Sequence, residues 1–121
     1  MTIVGIMVGG AAGSIARYLV GIAVASRYGQ AFPLGTLVIN VTGSALLGLL
    51  TGLVLYHGFP STAHAVLGTG FCGGYTTFSG HAVDTVALAA AGRRGAAARN
   101  VAADLLLGTG AAALGMAVVA W

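Results

Sequence analysis

Apolar residues fill four long blocks of this chain, at 2–25, 33–56, 62–91 and 100–121, and polar residues gather between them. Each block exceeds the roughly 20 residues that a helix needs to cross about 30 Å of hydrocarbon. The connections at 26–32, 57–61 and 92–99 are short. The pattern predicts an all-α integral membrane protein with four transmembrane helices in a single unit, residues 1–121. Pro33 suits a first helical turn, and Pro60 suits a turn just before the third block. Tyr28, Tyr56 and Trp121 lie near block ends, where interfacial aromatics concentrate. Residues 2–16 followed by Ala23-Val24-Ala25 resemble a secretory signal and its cleavage site. No basic stretch precedes them, however, and Arg17 interrupts the run, so a retained first helix is predicted.

Composition sharpens this reading. Hydrophobic residues make up 58% and charged residues 6% of the 121 positions. A soluble domain carries about 25% charged residues, so this chain cannot cover a water-facing surface. There is no Lys and no Glu; the charged side chains are Arg17, Arg27, Arg93, Arg94, Arg99, Asp84 and Asp104. The pI of 9.6 comes from arginines in or near connections. With no basic–aromatic patch for stacking, nucleic acid is not an expected partner. Cys72 stands alone, without a disulfide partner or a metal-site companion, and reads as a small buried apolar residue.

The arginines also orient the chain. Arg27, Arg93, Arg94 and Arg99 fall in the first and third connections, which share one side of a four-span protein. The opposite side has none. The positive-inside rule then places 26–32 and 92–99 in the cytoplasm and both termini outside, in one fixed orientation.

Glycine is used in ridges. Gly5, Gly9 and Gly13 lie four apart, as do Gly48 and Gly52. Small-xxx-small ridges let membrane helices approach closely. They serve either packing within the chain or an oligomer interface, and at least a dimer is expected.

Polar groups inside apolar blocks cost free energy unless they are paired or hydrated, so they mark candidate function. Thr36, Asn40, Ser44 and Gly48 repeat every four residues, placing one polar stripe on the second helix. The stripe fits interhelical hydrogen bonding and a pore lining equally well. Residues 68–80, GTGFCGGYTTFSG, place five glycines and four Thr or Ser residues at mid-block. The third helix is therefore expected to break near Gly73–Thr77, with Gly73 and Gly74 loosening it and Thr76 and Thr77 re-bonding freed backbone groups. Unwound carbonyls at such a break are able to ligate a cation, although a glycine kink at a tight crossing explains the pattern too. Arg17 either snorkels to the interface or draws anions into a vestibule. Asp84 and Asp104 are candidate partners for Arg17 or for the connection arginines. No Ser/His/Asp or Cys/His arrangement, phosphate-cradling loop or metal-binding helix is present, and His57, His64 and His81 do not cluster, so an enzyme is not expected.

Three segments in order carry a resemblance. GGAAGSIARY (9–18), GTLVINVTGSALLG (35–48) and GTGFCGGYTTFS (68–79) are similar to the signature segments of the Fluc (CrcB) fluoride channels, with matching spacing along nearly the whole chain. The resemblance implies a passive fluoride-selective channel in the cell inner (plasma) membrane that exports cytoplasmic fluoride and confers fluoride resistance. It implies an antiparallel dimer whose two third helices break and cross around a structural sodium ion. The carbonyls of Gly73 and Thr76 would hold that ion. Asn40, Phe78, Ser79, Arg17, Ser44 and His81 would line the fluoride path, with Asn40 and Ser79 as donors, the edge of Phe78 facing the anion and Arg17 in the vestibule.

Departures from the family pattern bear on assembly. His81 stands where a second phenylalanine is usual, and Gly80 where a hydroxyl is usual. Asp104, Gly108 and Ala112 stand where a tyrosine and spaced serines usually form a polar track. Homodimeric members show dual topology, which needs a weak charge bias, whereas the bias here is strong. The chain is expected to form either a homodimer or a heterodimer with an oppositely oriented paralogue, the departures favouring the second. A small multidrug-type four-helix transporter and a non-conducting structural subunit of a membrane complex remain as alternatives. The first would need a membrane-embedded carboxylate comparable to the usual Glu.

Overall fold

Backbone groups in hydrocarbon have no water to bond, so each apolar block must satisfy its own backbone as a helix. The computed structural model describes residues 1–121 and contains only helices and turns. Helix α1 spans Thr2–Tyr28 and α2 spans Leu34–His57. A continuous helical run over residues 61–75, here α3, comprises Ser61–His64, a π-helical stretch Ala65–Cys72 and Gly73–Tyr75. Helix α4 spans Phe78–Ala90 and α5 spans Arg94–Val118. Helices α1, α2 and α5 are long and apolar enough to cross a membrane. The block at 62–91 is divided between α3 and α4.

The division falls on Thr76 (φ −75°, ψ 159°) and Thr77 (φ −149°, ψ 110°), both extended. It lies within the stretch Gly73–Thr77 where a break was expected, just after the glycine pair. Gly73 is helical at φ −63°, ψ −37°. A methyl on Gly74 would collide with the carbonyl oxygen of Gly10 on α1. Gly74 is therefore a close-approach residue, and the extended pair follows it. Thr77 starts α4 by accepting a hydrogen bond from the Gly80 N–H on its own Oγ1, at 3.0 Å, as an N-cap does.

The glycine ridges pack within the chain. A methyl on Gly13 would strike the carbonyl of Phe71, and one on Gly9 would strike that of Val66. α1 and α3 thus meet backbone to backbone. α2 and α5 meet in the same way, with Gly48 against Ala112 and Gly115 against Ala45. Of the two roles open for these ridges, the intramolecular one is observed.

The third connection is shorter than expected. α5 begins at Arg94, so Arg94 and Arg99 lie on helix and only Ala91–Arg93 connect. Gly92, at φ 77°, makes that turn in the left-handed region that other residues rarely adopt. The Arg93 N–H then closes it onto the Leu88 carbonyl at 2.9 Å.

Only 17 of 121 residues are buried. The exposed remainder includes Ile3, Met7, Ile15, Leu19, Leu106 and Leu114. Such a surface belongs in lipid or against a partner.

Candidate functional site

The Thr76 N–H keeps its helical bond to the Cys72 carbonyl at 2.9 Å, and side chains from α1 and α2 serve the Thr76 carbonyl and both backbone groups of Thr77. Asn40, on the buried face of α2, accepts the Thr77 N–H on Oδ1 at 2.8 Å. Its Nδ2 donates back to the Thr77 carbonyl at 3.2 Å. One carboxamide thereby mimics a neighbouring peptide and fixes the backbone of a residue 37 positions away. From α1, Arg17 Nη1 donates to the Thr76 carbonyl at 3.2 Å, and Ser14 Oγ to the Gly74 carbonyl at 3.4 Å. Thr76 Oγ1 donates to the Cys72 carbonyl at 2.9 Å. The Thr76 N–H donates to the same carbonyl at 2.9 Å, so that oxygen keeps its helical partner.

Arg17 is half-buried and aimed at the chain interior instead of snorkelling. It lines a cavity of about 760 Å³ between α1, α2 and α4, together with Tyr18, Thr36, Thr77, Asp84 and Arg93. The cavity reaches from the first and third connections to Thr77. Thr36 Oγ1 donates to Asp84 Oδ2 in this cavity at 2.6 Å.

Neither aspartate meets an arginine, contrary to the pairing expected above. Asp84 takes Thr36, and Asp104 Oδ1 accepts from Asn40 Nδ2 at 3.1 Å. The only ion-pair geometry is His81 Nδ1 to Asp104 Oδ2 at 3.8 Å. Arg93 instead donates to the Ala31 carbonyl, tying the third connection to the first. Arg17 and Arg93 thus both serve carbonyls, while the carboxylates accept from neutral polar side chains.

His81 and Asn100 are buried on facing sides of α4 and α5. Asn100 Nδ2 donates to Thr85 Oγ1 at 2.9 Å and lies 3.3 Å from His81 Nδ1. Thr85 Oγ1 donates to the His81 carbonyl at 2.8 Å. Sequence reasoning missed Thr85 and Asn100. The signals were four-residue spacings, His81 to Thr85 and Asn100 to Asp104, each placing two polar residues on one helix face.

The remaining site residues are spread by function of their exposure. Phe78 is 84% exposed. Ser79 and Gly73 are exposed as well, and space around Gly73 is open. Ser79 Oγ lies 3.3 Å from Thr77 Oγ1. Ser44 faces α5, with its Oγ beside Gly108. Asn40, Thr77, Asp104 and His81 form one connected polar line inside the chain. Gly73, Phe78 and Ser79 form an open face beside it.

Known proteins resemble this chain along nearly its whole length. The family model described as CrcB-like protein, Camphor Resistance (CrcB), matches residues 4–116. The chain is 44% identical over 118 residues to the Fluoride-specific ion channel FluC of Nitrobacter winogradskyi, covering 97% of this chain and 94% of that one. It is 44% identical over 119 residues to Fluoride-specific ion channel FluC 2 of Cutibacterium acnes, covering 98% and 97%. It is 43% identical over 116 residues to Fluoride-specific ion channel FluC 1 of Leifsonia xyli, covering 96% and 85%. With apolar helices long enough to span a bilayer and a family match over nearly its full length, this chain is a multi-pass membrane protein of the CrcB family.

Proposed function

We infer that this chain is a subunit of a passive fluoride-selective channel, and not an enzyme. The observation that carries the inference is 44% identity over 97% of the chain to a protein named for that activity. The geometry supports it. A cavity bearing Arg17 leads to Thr77, and Asn40 stands directly behind. Fluoride that enters an acidic environment as neutral HF dissociates in the cytoplasm, and a passive anion path lets it leave down its electrochemical gradient. Arg17 raises the local anion concentration at the mouth. Discrimination against chloride needs a narrow path whose donors replace water; Asn40, Ser79 and the electropositive ring edge of Phe78 are those donors. Ser44 and His81 complete the lining.

The assembly is an antiparallel dimer in the plasma membrane. Residues 61–90 act in it as one interrupted span. Exposed Phe78, Ser79 and Gly73 are the surface that a second subunit covers. The side bearing Arg27, Arg93, Arg94 and Arg99 faces the cytoplasm. That bias gives this chain one orientation during biogenesis, so the oppositely oriented subunit is a related chain lacking the bias.

A structural sodium ion fits the division. The Thr77 N–H turns to Asn40, which takes from the Gly73 carbonyl the donor it would have in a continuous helix. The Thr76 carbonyl keeps a second lone pair beside its bond from Arg17. Two carbonyl oxygens at a helix C-terminus suit a hard cation, and a two-fold partner doubles the set. Sodium would hold the two divisions together; Asn40, Arg17 and Ser14 position them within each chain.

The test is fluoride efflux from liposomes holding the purified chain, read with a fluoride electrode. Reconstitution from detergent removes the biogenesis bias and permits antiparallel pairing of identical chains. Fluoride loss above that of protein-free liposomes, with chloride retained, is the expected result. Equal loss of both anions would refute the reading, as would loss of neither that persists when the related, oppositely oriented chain is added.

A further inference from the structure

Asn40 Nδ2 carries two hydrogens, and both are taken within the chain. One goes to the Thr77 carbonyl at 3.2 Å and the other to Asp104 Oδ1 at 3.1 Å. No donor remains on that carboxamide for a passing anion. The acceptor that fills the second place is itself a carboxylate, the group that most closely imitates an anion at a donor. Its other oxygen, Oδ2, has His81 Nδ1 at 3.8 Å. That nitrogen also lies 3.3 Å from Asn100 Nδ2. No arginine contacts Asp104.

We propose that Asp104 is a built-in brake on anion passage: its carboxylate occupies the Asn40 donor and repels anions from the same point. The proposal rests on the anion-channel reading above and assigns α5 a rate-setting and selectivity-setting residue. The contact is reversible, because an anion that displaces Oδ1 needs only the second hydrogen while the Thr77 bond stays in place. Conduction is therefore slowed and not abolished. Replacing the carboxylate by a neutral acceptor weakens the competitor, since charge-assisted hydrogen bonds are about twice as strong as neutral ones. Removing the acceptor altogether frees the donor.

The experiment follows the Asn40 carboxamide by NMR in the full-length protein, labelled with ¹⁵N at asparagine. The resonance is assigned by its loss in Asn40→Ala. Sodium fluoride is titrated against sodium chloride at constant ionic strength, in the parent chain and in Asp104→Ala and Asp104→Asn. The expected result is a saturable, fluoride-specific shift in both variants, larger in Asp104→Ala, and little shift in the parent. Asp104→Asn is isosteric and tests the proposal alone if Asp104→Ala does not fold. A parent response equal to the variants', or no response in any protein, would overturn the proposal.

Fluoride efflux from liposomes holding the same proteins separates this from the channel reading. The variants are expected to exceed the parent by at least about tenfold, given the repulsion between like charges a few ångströms apart at an effective dielectric near 20. A carboxamide response without fluoride flux in any protein would sink the channel reading and leave the Asp104 contact standing. Equal flux in all three with no carboxamide response would sink the brake and leave the channel.

Discussion

Asn40 holds Thr77 by both of its backbone groups, accepting the N–H at 2.8 Å and donating to the carbonyl at 3.2 Å. Thr77 sits between two helical segments, so the carboxamide does what the missing helical partners would have done. Asn40→Ala leaves the part-buried N–H and carbonyl of Thr77 without their partner, at a cost below the roughly 1–3 kcal/mol of a fully buried unpaired group because both border the cavity. The expected outcome is a lower thermal midpoint in detergent together with loss of fluoride flux. Asn40→Asp still accepts the Thr77 N–H but cannot donate, and it faces Asp104 with like charge. It is expected to be more damaging than Asn40→Ala, as measured by yield of folded protein and by efflux.

Gly74 and Gly110 are both helical glycines with opposite surroundings. A methyl on Gly74 meets the backbone of Gly10, whereas one on Gly110 meets nothing within 4 Å. Gly74→Ala must push α3 away from α1, with overpacking costs of about 1–3 kcal/mol or more. Gly110→Ala gains about 0.5–1 kcal/mol of helix preference. Thermal unfolding of the two variants is expected to move in opposite directions.

Phe78 is 84% exposed on the single chain. Phe78→Ile is expected to leave folding of the subunit intact while lowering fluoride efflux. Circular dichroism and liposome flux on one preparation separate the two effects. A fall in both together would place Phe78 in the fold and not in the path.

Arg27, Arg93, Arg94 and Arg99 are expected to set orientation. Reporters at either terminus are expected outside the cytoplasm. Replacing Arg93, Arg94 and Arg99 by Gln leaves one basic residue on that side and is expected to yield a mixed population. Equal orientations in the parent chain would remove the case for an oppositely oriented related partner.

Sodium is expected to stabilise the dimer. Exchange of Na⁺ for N-methylglucamine, a cation too large for carbonyl ligation, should lower the concentration at which cross-linkable dimer persists. An unchanged dimer fraction would argue against a cation at Gly73 and Thr76.

Hydropathy located the helices, because apolar length and self-satisfied backbone are local properties, but it put the start of α5 at 100 where the helix begins at Arg94, since the polar first turn carries no apolar signal. Asn40 stood out for the same reason, as a polar residue that an apolar helix tolerates only with a partner. What the partner was could not be read. Asn40 meets Asp104 across 64 positions and Thr77 across 37, and no periodicity encodes such pairs. The glycines of 68–80 were ambiguous, since a residue able to break a helix is equally able to bring two helices together. Gly74 does the second. The aspartates misled because opposite charges suggest pairing, while each carboxylate found a neutral donor within reach.

The most direct test of the central claim is the reversal potential of the purified protein in a planar bilayer, with tenfold opposing gradients of fluoride and chloride and equal pH on both sides. A passive fluoride channel should reverse near the fluoride equilibrium potential, about 59 mV for one charge. Reversal at the chloride potential, or a current that appears only with a proton gradient, would contradict the account.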